Sequence, residues 1–239
     1  MEALIEEYVR YLTAERNLSP NTLRNYRADL RHFGHYLEAE EGLGPLEVDR
    51  KSFRRYLASL NESGTAPASV GRKVSTVHTF YRYLVREGTL NRDPLLGVSI
   101  PRRERRLPQI LGKEHLTAII EAADSDDPQG LRDRAILELI YAAGLRLAEA
   151  VGLDVAGADL RERLVRVRGK GNKERIVVIG RPAARAIQRY LREGRPKLAQ
   201  AEESPLFVNR EGSRLSGRSV QKIVRKHALM AGLDQRVFP

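Results

Sequence analysis

The chain has 239 residues, enough for one large or two ordinary domains, and 41% of them are hydrophobic, enough to bury a core. It has no Cys, which excludes disulfides and Cys-ligated zinc, and no apolar run approaches the roughly 18 residues of a membrane span. The net charge is +11, and only eight of the 42 basic residues are Lys; the planar guanidinium fork fits phosphate oxygens, so this bias favours nucleic acid over a neutral metabolite.

The N-terminus, Met1-Glu2-Ala3-Leu4-Ile5-Glu6-Glu7, is acidic and lacks a signal-peptide pattern, so the cytoplasm is the expected compartment. Leu4, Ile5, Tyr8, Val9 and Leu12 form a helical stripe over residues 2–16. Ser19 and Pro20 suit an N-cap and a first helical position, and Leu23, Tyr26, Leu30, Phe33 and Leu37 continue as a second helix to about residue 40. Gly42-Leu43-Gly44-Pro45 breaks it. Asp49 can cap a third helix carrying Phe53, Tyr56, Leu57 and Leu60. A fourth, over 67–87, turns Val70, Val74, Val77, Phe80, Tyr81 and Leu84 inward. Residues 1–87 thus read as a four-helix domain.

Residues 88–106 lack such a stripe and hold Pro94, Pro101 and the run Arg102-Arg103-Glu104-Arg105-Arg106, which reads as a basic, semi-extended linker. Charge is unevenly placed: residues 1–49 sum to −5, 50–100 to +6, 101–106 to +3 and 107–239 to +7. The second domain, 107–239, opens with helical patterns at 113–123 and 129–143, and Gly144 suits a left-handed cap before another short helix. The period then changes. Leu164–Arg168 and Arg175–Ile179 are strand-like and flank Gly169-Lys170-Gly171-Asn172-Lys173-Glu174, a Gly-rich basic hairpin tip. A helix at 182–193, a short strand at Leu206-Phe207-Val208 and a last helix at 216–231 follow. The fold class is mainly α: a four-helix N-terminal domain, then an α-rich domain with a small antiparallel β-sheet.

Two features now coincide. Ala143-Gly144-Leu145-Arg146-Leu147-Ala148-Glu149 and, 24 residues on, the tip Arg168-Gly169-Lys170-Gly171-Asn172-Lys173-Glu174-Arg175 together resemble the catalytic domain of Xer-type tyrosine recombinases of the phage-integrase family. The resemblance extends over essentially the whole chain, including the four-helix domain and Ser19-Pro20-Asn21-Thr22. It implies strand cleavage and rejoining through a 3′-phosphotyrosyl link, with Arg146 as the first catalytic Arg and Lys170 as the catalytic Lys. In such chemistry a positioned Arg stabilises charge on the nonbridging phosphate oxygens, and losing one such donor typically costs on the order of 10²- to 10³-fold in rate. A hairpin Lys can protonate the 5′-oxygen leaving group as general acid. Glu149 is expected to orient Arg146 rather than react. No cofactor and no metal are expected.

The resemblance also implies which surfaces meet double-stranded DNA. Asn21, Thr22 and Arg24 open the second helix, and Arg72 and Lys73 lie early in the fourth. The linker Arg102, Arg103, Arg105 and Arg106, the hairpin Lys173 and Arg175, and Arg218, Gln221, Lys222 and Arg225 on the last helix complete the expected contacts. His227 is expected to pack beside that helix and Tyr190 to be structural. The family acts as a tetramer on two DNA sites, with or without a second recombinase.

The family's remaining groups, a His-x-x-Arg motif, a later His or Trp and the Tyr nucleophile, are expected after Phe238-Pro239. His227 is followed three residues later by Met230, and all nine tyrosines precede residue 191. The chain as written is therefore expected to bind DNA without cutting it and to be monomeric off DNA. The alternatives are a fragment of a full recombinase in DNA integration or chromosome-dimer resolution, and a short non-catalytic protein occupying recombination sites. A transcription regulator of another fold fits the charge but not the hairpin.

Overall fold

In a computed structural model the residues described are 1–98, 110–169, 173–199, 204–233 and 237. The chain divides into two units, Met1–Leu107 and Pro108–Pro239.

The first unit is built from helices α1 (Glu2–Ala14), α2 (Pro20–Tyr36), α3 (Arg50–Glu62) and α4 (Pro67–Arg86). Their starts are set locally. Ser19 accepts the Thr22 amide at 3.3 Å, with Pro20 in the first turn. Asp49 and Ser52 cap each other reciprocally at the head of α3, through Ser52 N to Asp49 Oδ1 at 2.8 Å and Asp49 N to Ser52 Oγ at 3.1 Å. Helix α2 widens into a π turn at Leu37–Glu41, accounting for the helical signal to residue 40. Phe33, Phe53, Tyr56, Phe80 and Tyr81 are fully buried, and Phe33 and Tyr56 have centroids 4.8 Å apart. Tyr81 donates its hydroxyl to the Pro45 carbonyl at 2.7 Å, which pins the α2–α3 connection to this core. Leu95 is also fully buried here, and Leu90 and Val98 pack beside it. The first residues of the expected linker thus lie against the four helices; their apolar side chains are too irregularly spaced to show a stripe.

The second unit has α5 (Lys113–Glu121), α6 (Pro128–Ala143), α7 (Leu147–Val151), strands β1 (Ala158–Asp159), β2 (Leu164–Arg168) and β3 (Glu174–Val178), then α8 (Arg181–Arg189) and α9 (Gly217–Met230). Asp127 caps α6 by accepting the Gln129 and Gly130 amides at 2.9 and 3.1 Å. Gly144 ends it at φ 55, ψ 38, a left-handed conformation that glycine adopts without Cβ strain. Helix α6 packs against α5, α7 and α8. The sheet is antiparallel in the order β1-β2-β3, with Val165 opposite Val177 and Arg168 opposite Glu174. Val165 and Val167 face the core while Arg166 and Arg168 face out, the period-two signal of the sequence.

Two differences from the sequence expectations stand out. Strand β1 has only two residues, too short to leave a pattern. Leu206–Val208 is no ladder strand: among the described residues this region pairs only through the isolated bridges Asp154–Pro205 and Val208–Arg214. Its three apolar side chains are all buried, and burial on every side reads like a strand in sequence. Tyr190 opens a π turn after α8, is buried and stacks on Phe207 at 5.8 Å, a structural position.

Candidate active site and nucleic-acid interface

The site begins where α6 ends. The left-handed turn at Gly144 reverses the chain, buried Leu145 anchors it, and Arg146 becomes the N-cap of α7. The Arg146 side chain is 76% exposed, whereas its partner Glu149 is only 2% exposed. Glu149 Oε2 accepts the Arg146 backbone amide at 2.9 Å, and Oε1 accepts Arg146 Nη1 at 3.2 Å.

A second guanidinium shares that carboxylate. Arg175, from β3, donates Nη1 to Glu149 Oε1 at 2.6 Å and Nη2 to Oε2 at 2.9 Å. The Arg175 hydrogen bonds, against opposition from burial, hold the Glu149 carboxyl down at about 2. Glu149 therefore stays ionised at neutral pH. Its position three residues after Arg146 is legible in sequence as a capping residue, but its pairing with Arg175 spans 26 positions and is not. Arg175, expected to reach a DNA phosphate, pairs with this buried carboxylate while its side chain stays 41% exposed.

The hairpin base lies beside this cluster. Gly169 donates its amide to the Lys173 carbonyl at 2.8 Å. A Cβ at Gly169 would sit 3.2 Å from Glu149 Oε1 and 3.4 Å from Arg175 Nη1. A side chain here would push the Glu149 carboxylate by a few tenths of an ångström, so glycine lets the strand end pass the ion pair without displacing it. Exposed Arg168 and Glu174 pair across the strands at 2.8 Å, and Lys173 is exposed. Lys170, in the tip, lies outside the described residues.

The expected DNA contacts fall into three groups. Arg218, Gln221, Lys222 and Arg225 are exposed along one face of α9, while Val220, Ile223, Val224 and Ala228 are buried on the other. Asn21 and Arg24 are exposed and Thr22 half-buried in the first turn of α2. Arg72 and Lys73 already have a partner inside the fold: both pair with Asp29, which is 1% exposed, and the Lys73 side chain is only 13% exposed with Nζ 3.6 Å from Asp29 Oδ1. Burial pushes the Lys73 ammonium below its ordinary range, with Asp29 opposing. Arg102, Arg103, Arg105 and Arg106 lie outside the described residues. His227 is buried and hydrogen-bonded within the second unit, a packing position. Asp29 was not singled out from sequence; the available signal was an acid three residues after Tyr26, on the inward stripe of α2.

Among the described residues no helix is long and apolar enough to cross a membrane. A four-helix unit, followed by a helical unit in which an arginine stands exposed on a buried carboxylate beside a β-hairpin, has the make-up of a tyrosine recombinase. Residues 109–239 match the phage integrase family, and residues 5–88 match the phage integrase N-terminal SAM-like domain. The chain is 38% identical to tyrosine recombinase XerC of Pelotomaculum thermopropionicum, over 98% of this chain and 80% of that protein. It is 43% identical to tyrosine recombinase XerC of Pelobacter propionicus, over 100% of this chain and 80% of that protein. This chain belongs to the phage integrase family, as a Xer-type tyrosine recombinase. Its fold is also that of the XerH site-specific recombinase solved bound to difH substrate in a post-cleavage complex, at TM-score 0.72 and 19% identity, covering 98% of this chain and 68% of that one.

Proposed function

We propose that this chain is a site-specific DNA recombinase subunit that binds duplex DNA and presents Arg146 to the backbone phosphate at the point of strand exchange. The observation that carries this reading is the exposed guanidinium of Arg146 held on buried Glu149 beside the hairpin base. Its donors would stabilise charge on the nonbridging oxygens, and Lys170 would protonate the 5′-oxygen. The α9 ridge, the first turn of α2, Lys173 and the linker arginines would supply phosphate contacts. Of the fourth-helix pair, half-exposed Arg72 remains a contact, while Lys73 serves mainly to neutralise Asp29. The working assembly is a tetramer on two DNA sites in the cytoplasm.

The 239 residues hold no His-x-x-Arg motif and no Tyr after Tyr190. We therefore propose that they bind DNA without forming a covalent link. Fluorescence anisotropy on a labelled duplex at several salt concentrations tests binding. Log affinity should fall linearly with log salt, and Arg218→Ala, Lys222→Ala and Arg225→Ala should each flatten the slope by about 1. A salt-insensitive affinity overturns the DNA reading. A denaturant-stable protein–DNA adduct on a nicked suicide substrate overturns the bind-only reading.

A further inference from the structure

The Glu149 carboxylate is shared unequally. Arg175 takes both oxygens at 2.6 and 2.9 Å, whereas the Arg146 side chain touches one oxygen with one nitrogen at 3.2 Å. We infer that Arg175 is a positioning residue: by occupying the Glu149 carboxylate with a two-nitrogen pair, it keeps the Arg146 guanidinium outward and its donors available to a phosphate. The inference rests on the reading of Arg146 as the phosphate-contacting residue.

Glu149 is almost wholly buried, so an unpaired carboxylate there could not be rehydrated and would seek another cation. Among the described residues the nearest is Arg146, already in contact with Oε1. Without Arg175 the planar fork of Arg146 would close on both oxygens, and its charge would be spent internally. With Arg175 present, two guanidiniums share one carboxylate, and the cluster keeps one net positive charge for an incoming anion. Gly169 completes the arrangement, because a side chain there would crowd both Glu149 Oε1 and Arg175 Nη1.

The competing idea is that Arg175 touches DNA itself, and two measurements separate them. In the free protein, arginine side-chain ¹⁵N–¹H spectra should show the Arg146 Nη protons exchanging rapidly with water. Arg175→Met should slow that exchange, as the Arg146 fork closes on Glu149. The double variant Glu149→Gln with Arg175→Met should return it to the wild-type rate. In duplex binding, Arg175→Met should weaken affinity about tenfold, the loss of one charge-assisted contact. The double variant should recover most of that loss with an unchanged salt slope. If Arg146 spectra are unmoved, or if both variants lose affinity and flatten the salt slope by about 1, Arg175 is a DNA contact and the inference is overturned. If the wild-type chain binds no duplex, the proposed function fails, and the spectra of the free protein still decide the role of Arg175. Should Arg175→Met not fold, the double variant, which buries no unpaired charge, decides alone: a wild-type salt slope upholds the inference and a slope flattened by about 1 overturns it.

Discussion

His227 Nε2 lies 3.2 Å from Asp133 Oδ2, and this contact joins α9 to α6. The other Asp133 oxygen accepts Arg132 Nε and Nη2 at 3.0 and 2.7 Å, Arg132 Nη1 reaches the Val208 carbonyl at 3.1 Å, and His227 Nδ1 is 3.2 Å from the Ala122 carbonyl. All three side chains are buried. A buried polar cluster thus helps to seat the basic ridge of α9, beside the apolar Val220, Ile223, Val224 and Ala228. Asp133→Ala would leave Arg132 buried without its carboxylate and should cost about 3–5 kcal/mol, the range for breaking a buried pair from one side. Asp133→Asn should cost less. Urea unfolding compares them, and equal losses would contradict the charge argument.

In the first unit Asp29 plays the comparable part. It accepts Arg72 and Thr76, and Lys73 lies beside it. Asp29→Ala should destabilise this unit by about 3 kcal/mol, because largely buried Lys73 loses its counter-charge. Arg72→Ala should cost under about 1 kcal/mol, since Arg72 is partly exposed and Lys73 still neutralises Asp29. Reversal of that order in denaturant melts would show that Arg72, not Lys73, is the main partner.

Glu149 gives the second unit a defined pH response. Its folded-state pKa is about 2, below the ordinary 4.5. A depressed carboxyl contributes stability above its unfolded pKa and loses it as pH falls through the folded value. The contribution should therefore be fully present above about pH 5 and decline between 4.5 and 2. The stability gap between wild type and Glu149→Gln should be flat at neutral pH and narrow across that acid window. A gap that does not change with pH would mean that Glu149 is not ionised in the fold.

The reciprocal cap of Asp49 and Ser52 gives a smaller, local effect. Asp49→Ala should cost about 1 kcal/mol, measured by thermal or urea unfolding. Ser52→Ala, which removes the bond from the Asp49 amide and the one Ser52 Oγ donates to the Asp49 carbonyl but leaves the Asp49 side-chain cap, should cost less. A loss at Ser52 matching that at Asp49 would instead point to its full burial as the larger factor.

Punctuation made most of the fold readable. Ser19-Pro20, Asp49 and Gly144 mark helix ends by local chemistry, and the structure puts a boundary at each. The alternation at Leu164–Arg168 marked the strand facing the core. What stayed hidden depends on residues far apart in sequence. His227 meets Asp133 across 94 positions, Arg72 meets Asp29 across 43, and Arg175 meets Glu149 across 26. An arginine at a hairpin looks alike in sequence whether it faces a phosphate or an internal carboxylate. Only its motif marks Lys170, which lies outside the described residues.

Helix α6 has a consequence for hydrogen exchange. From Gly130 to Ile140 no residue is exposed, and only Arg134, Glu138 and Ile140 are partly accessible, so most of the surface of this stretch is covered. Such a segment cannot shed its neighbours and persist as a bare helix in water, because its buried Leu131, Ala135, Ile136, Leu137 and Leu139 would meet solvent at once. Amides of Ala135, Ile136 and Leu139 should therefore exchange only through global opening of the second unit, with protection equal to its full unfolding free energy. Those near the ends of α5 should exchange through smaller local openings.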